Sequence, residues 1–165
     1  GRVARGTSYA TYGYGVDVQS IPASKYVLFA DTSGTGCNAT VSSLNNAPDT
    51  KTGDCVYTSG ADTVVQSVVI NNNVTISGAC VYSGLSTYCS VGTTPLLSQV
   101  DISFVRPDPG AIIIAKKSSG GVFTKGNKIL RFYKVCLRLS AAGGNRYIMV
   151  NQVGIISVLS SCTGL

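Results

Sequence analysis

Turn signals in this 165-residue chain recur every ten to fifteen residues, and the segments between them are short and rich in β-branched side chains. That punctuation limits the fold more than any other feature, because no segment keeps helical periodicity with caps over ten residues. Val and Ile together number 31 against 10 Leu and 12 Ala, and β-branched side chains suit a pleated surface better than a helix. The expectation is a mainly β, antiparallel protein. Its length fits one domain over 6–165, with residues 1–5 as a stump or the tail of a helix that ran upstream.

The strands can be placed from pattern. The segment YATYGYGVDVQS and the short run KYVLFAD, bounded by IPAS and TSGTG, read as a hairpin. Residues 32–60 are rich in Gly, Ser, Thr, Asn and Asp, and read as an excursion loop too polar for a core. TVVQSVVI and VTI flank three asparagines, a residue that tolerates the left-handed backbone of a tight turn, so they read as strand, turn, strand. In QVDISFVR, Val100, Ile102 and Phe104 alternate inward, with Asp101 and Ser103 outward. AIIIA at 111–115 reads as a strand covered on both faces, and Lys116–Gly121 as a basic turn. Across 129–139 the apolar phase shifts between Phe132 and Val135, as a β-bulge would make it do. The remainder, RYIMVNQVGIISVLSS, closes the sheet.

Six cysteines occur with no CxxC pair and no histidine, which disfavours zinc and favours disulfides. Six cysteines permit about fifteen pairings. Spacing favours the local ones, Cys37–Cys55 across the polar loop and Cys80–Cys89 closing a hairpin, with Cys136–Cys162 left by elimination. Bridges persist outside the cytosol, so the chain is expected in the periplasm or outside the cell, its export or membrane segment removed upstream of Gly1. No run of eighteen apolar residues is present.

Catalysis is hard to staff. Histidine and glutamate are absent, no Ser-x-x-Lys spacing occurs, and the seven acids are all aspartates. Asp31 with Ser33, or Asp49 with Asp54, lacks the regular oxygen spacing of a calcium loop. The expectation is no enzyme, no cofactor, no metal and no small-molecule substrate. Charge is the stronger signal: everything after Asp108 holds eight basic residues and no acid. Lys116, Lys117, Lys125 and Lys128 are expected in one loop, with Arg131, Arg138 and Arg146 on the closing hairpin beside Tyr133 and Tyr147. Cations interleaved with aromatics suit an anionic partner such as DNA. The plainer reading is a solvated edge, an acidic neighbouring subunit or an anionic membrane face.

The order of segments carries a resemblance. YGYGVDVQ, then KYVLFAD, a polar excursion, a VVINNNVTISG strand pair, VDISFVRPDP and a closing LRLS…NRYIMVNQVGIISV hairpin are similar to the globular domain of type IV pilin-like proteins of the GspH/FimT group. These are minor pilins of type IV pili and H-type minor pseudopilins of type II secretion. The resemblance spans about residues 4–159. It implies antiparallel sheets packed on an N-terminal hydrophobic helix, of which Arg2–Arg5 would be the last exposed turn. It also implies a non-catalytic subunit, at or near the tip of a filament, that meets other pilin or pseudopilin subunits and is held in the inner membrane by that helix. The place of action would be the periplasmic face of the inner membrane or an extracellular filament, with loops 32–60 and 80–98 as the variable surface. Six cysteines depart from the common family pattern. Some FimT-like members bind DNA in competence through an arginine-rich C-terminal tail, but Ser160–Leu165 has no basic residue. A free extracellular β-sandwich adhesin is the reading from another class.

Overall fold

The computed structural model describes residues 13–33, 53–70, 73–84, 86–93, 95–104, 110–126 and 128–162. Among the described residues, twelve strands form in chain order: β1 (Gly13–Gln19), β2 (Lys25–Asp31), β3 (Thr63–Val69), β4 (Thr75–Tyr82), β5 (Thr87–Cys89), β6 (Leu97–Phe104), β7 (Ala111–Lys117), β8 (Thr124–Lys125), β9 (Lys128–Ile129), β10 (Lys134–Ala141), β11 (Gly144–Asn151) and β12 (Ile156–Leu159). Sheet A has the order β3-β2-β1-β6-β7, sheet B the order β12-β11-β10-β4-β5, and β8-β9 is a small ribbon. Every pairing is antiparallel. The chain is therefore mainly β with two antiparallel five-stranded sheets, and no helix occurs among the described residues.

The core lies between the sheets. Val18, Val100, Ile102, Ile113 and Ala115 of sheet A meet Ile76, Ala79, Val81, Val135, Leu137 and Val150 of sheet B, with Phe123 and Phe132 at one end. Tyr88 stacks against Phe123 at 4.6 Å between ring centroids, which ties the ribbon segment to sheet B. Backbone bridges stitch the layers: Ala23 exchanges hydrogen bonds with Ile76, at 2.9 and 2.8 Å, and Phe132 pairs with Ile113.

The hairpin of β1 and β2 forms, and AIIIA lies in a strand with Ile113 in one core cluster and Ile114 in another, so both its faces are covered. Asn73 takes the left-handed conformation at φ 56°. Several expectations are corrected. TVVQSVVI and VTI do not pair with each other, because β3 joins β2 in sheet A while β4 joins β10 and β5 in sheet B. Residues 129–139 are not one bulged strand. Ile129 belongs to β9, Phe132 bridges to sheet A, and Val135 is already in sheet B, so the phase shift records a crossing between layers. The irregularity that does occur in β10 lies one turn of register later, between Arg138 and Leu139. Lys116 and Lys117 end strand β7 instead of forming a turn. The loops expected at 32–60 and 80–98 also supply core: Cys55, Val56, Tyr57, Cys80, Val81, Tyr82, Cys89 and Leu97 are all buried. Residues 1–5, Cys37 and Asp49 lie outside the described residues.

Candidate functional site

Sheet A has a second face, turned away from sheet B, and it is lined with acids. Gly15, Asp17, Phe29, Asp31, Gln99, Asp101, Ser103, Ile114 and Lys116 share it by register and alternation. Residues 53–58 run across this face as a strap. Among the described residues the strap pairs with no strand, and side chains serve its backbone groups. Cys55 N donates to Asp31 Oδ2 at 2.6 Å and Asp54 N to Asp31 Oδ1 at 3.2 Å. Ser103 Oγ donates to Cys55 O at 3.3 Å. Tyr57 N donates to Asp101 Oδ1 at 3.1 Å, while Tyr57 O accepts from Gln99 Nε2 and Lys116 Nζ at 3.3 and 3.1 Å. Asp62 ties the end of the strap to the residues that leave β2, accepting from Thr58 N at 2.7 Å and from Thr32 N and Ser33 N at 2.9 Å each. The Phe29 and Tyr57 rings pack at 5.3 Å beneath it.

Asp101 and Ser103 do lie on the face away from sheet B, as the alternation predicts, but the strap covers that face and both are fully buried. Asp101 lies directly opposite Asp17 across β1 and β6, and Asp17 finds no hydrogen-bond partner among the described residues. Burial pushes Asp17 up to about 6, against the pull of its neighbours Asp101, Gln19, Lys116 and Gln99. Burial, then the Asp17 charge, raises Asp101 well above the ordinary carboxylate range. Two acids so placed titrate as a unit, and the pair keeps a proton where surface carboxylates have lost theirs. Burial also pushes Asp31 up to about 7, its two amide donors opposing and the Asp54 and Asp62 charges assisting. The chemistry on view is amide capture by carboxylates. Both Asp31 oxygens accept amide hydrogens from the strap.

Sheet B's outer face carries sulfur. Cys89, Cys80, Cys136, Met149 and Ser157 stand directly opposite one another in one row across β5, β4, β10, β11 and β12. Disulfides join Cys80 to Cys89 and Cys136 to Cys162, and Tyr82, Tyr147 and Leu159 pack around them. Cys55 is also disulfide-bonded, while Cys37 lies outside the described residues. Such bridges belong to an oxidising environment, periplasmic or extracellular.

The basic residues do not form one loop. Lys116 turns onto the strapped face at Tyr57 O. Lys117 stands 5.8 Å from the Phe123 ring, Lys125 is exposed on β8, and Lys128 lies in β9. Arg131 lies between β9 and β10. Arg138 donates from Nε to Ser77 Oγ at 2.9 Å and from Nη2 to Ser77 O at 3.3 Å, and Arg146 donates to Asn145 O at 3.1 Å. Lys134, absent from the expected set, stands between two rings, 4.4 Å from Tyr82 and 5.6 Å from Tyr133.

Sequence reasoning missed Asp17, Gln99, Asp101 and Asp62 as buried groups. The available signal was the Val-Asp-Val of β1 and the Val-Asp-Ile of β6, acids flanked by β-branched residues in strands that are buried on both sides. Comparisons of the chain with family models, with curated proteins and with solved structures each yield no match.

Proposed function

We propose that the chain is the globular head of a non-catalytic assembly subunit, a minor pilin or pseudopilin, whose inter-sheet apolar surface docks on an N-terminal helix and on neighbouring subunits of a filament. The observation that carries this reading is an unfinished core. Ile156 and Val158 share the inner face of sheet B with Val150, Ile148, Val135 and Leu137 by register, yet they stay 65% and 71% exposed. On sheet A, Val16 and Leu28 face each other on the inner face and are only half-buried. Isolated exposed apolar side chains need no explanation, but a row of them continuing a core does. An apolar helix lying along that seam is the element the resemblance to GspH/FimT-type domains supplies, and it would also hold the subunit in the inner membrane before assembly. DNA is the weaker partner, since Lys116 and Arg138 make internal contacts.

The test uses the full coding sequence in its native host. A leader ending in Gly followed by an apolar helix supports the reading, and an ordinary cleaved signal peptide directly before Gly1 overturns it. In the full-length protein, Ile156→Lys with Val158→Lys should abolish incorporation into filaments while the secreted head keeps its melting temperature. Normal incorporation of that variant would remove the seam from the interface.

A further inference from the structure

The row of sulfurs on sheet B has more chemistry in it than two staples. Cys80 has a cysteine directly opposite it on each side, its bonded partner Cys89 on β5 and Cys136 on β10. Directly opposite residues of an antiparallel pair have Cα atoms about 4.5–5.5 Å apart, within the range a disulfide spans on either side. The register sets the Cα atoms of Cys136, Cys80 and Cys89 in one row, with Cys136 and Cys89 on opposite sides of Cys80. Thiol–disulfide exchange proceeds with the attacking sulfur entering opposite the leaving one, the sides that Cys136 and Cys89 occupy about Cys80. Cys80, Cys89 and Cys136 are buried, whereas Cys162 is half-buried in the segment after β12. Solvent thiols therefore meet the row at Cys162.

We infer that the row Cys136–Cys80–Cys89 is a disulfide-exchange site, in which an external thiol captured at Cys162 is answered by transfer of the internal bridge from Cys80–Cys89 to Cys80–Cys136. The steps balance with one small-molecule or protein thiol as co-reactant. Its thiolate attacks Cys162 Sγ, a mixed disulfide forms there, the Cys136–Cys162 bond breaks, and the electron pair leaves on Cys136. The Cys136 thiolate attacks Cys80 Sγ, the Cys80–Cys136 bond forms, the Cys80–Cys89 bond breaks, and Cys89 leaves as a thiolate that takes up the proton given by the incoming thiol. Two disulfides enter and two leave, so nothing is oxidised or reduced overall. The result is a rebridged sheet and a C-terminal segment whose Cys162 is covalently joined to the thiol's owner. The inference is independent of the filament reading, since it rests on strand register, the two disulfides and the half-buried position of Cys162.

The experiment incubates the oxidised protein with glutathione at pH 8 without denaturant, quenches with N-ethylmaleimide and maps the peptides by mass spectrometry. Expected are a Cys80–Cys136 peptide, glutathione on Cys162 and maleimide on Cys89. A parallel Cys162→Ser variant leaves Cys136 with a free thiol and should show Cys80–Cys136 and Cys80–Cys89 together, with maleimide divided between Cys89 and Cys136. Maleimide on Cys136 alone, beside an intact Cys80–Cys89 peptide, overturns the inference. New pairings that include Cys37 or Cys55 overturn it too, because they mark exchange through the unfolded chain. Should the variant fail to fold, the wild-type arm decides.

Discussion

At Gly15 a methyl group has nowhere to go. A Cβ there would stand 2.5 Å from two atoms of the Phe29 ring and 2.9 Å from Ser103 Oγ, all on the strapped face. Gly15→Ala should destabilise the domain by about 1–3 kcal/mol in urea unfolding, an overpacking cost, and an unchanged midpoint would mean that Phe29 can swing away. Nothing in YGYGVDVQ announces this, since a glycine in a strand reads only as weak propensity until the ring above it is known. The acids behave likewise. Asp17 and Asp31 hold protons to about 6 and about 7 because burial strips them of water, whereas carboxyls of the unfolded chain titrate near 4, at about 3.9. The native state thus binds more protons than the unfolded state across that window, so stability is greatest below it and falls as pH rises through the folded values. Each group contributes a slope of up to about 1.4 kcal/mol per pH unit. The urea midpoint should therefore be higher at pH 5 than at pH 8, and Asp31→Asn should flatten the fall between pH 5 and 7. Equal midpoints at the two pH values would contradict the burial of these groups.

Among the elements, the strap is the least regular and the most dependent on single side chains. Asp101 accepts from Tyr57 N and Gln99 Nε2, so Asp101→Ala leaves both donors buried without that acceptor. Losing a hydrogen bond of this kind costs about 1–3 kcal/mol locally, which corresponds to roughly 10–100-fold faster amide exchange at Cys55 and Tyr57. Exchange along β10 and β11 should not change, and Asp101→Asn, whose amide oxygen still accepts, should restore slow exchange. Uniform acceleration across both sheets would show that the strap does not open by itself. Strands were legible wherever the pattern was local: β1 with β2, the doubly covered β7, and the hairpin of β4 and β5 closed by Cys80 and Cys89. The strap was not legible, because GDCVYT reads as loop and its burial comes from acids contributed by two distant strands, Asp31 of β2 and Asp101 of β6. Layer assignment failed for a related reason: alternation reveals which residues share a face, but the sequence around Asn71–Asn73 does not say that the chain leaves one sheet for the other there.

For the whole molecule, the disulfides matter as constraints on the unfolded chain. Bridges of sequence separation 9 and 26 contribute on the order of 2.5–3.5 kcal/mol each in the chain-entropy account. Reduction should lower the melting temperature by about 10–20 °C, read by differential scanning calorimetry, and no shift would mean that the unfolded chain is already compact without them. Topology adds a constraint of another kind, one of time. β1 lies at the centre of sheet A, paired with β2 on one side and with β6 on the other, so Asp17 must wait for Asp101 before it is covered. β4 likewise waits for β10, its neighbour towards the middle of sheet B. A chain emerging from a translocation pore N-terminus first can therefore finish neither layer until its last third has arrived. Until then it carries open strand edges, the state in which a β-rich chain is most exposed to mispairing, even though Cys80 and Cys89 are already both present to close their bridge.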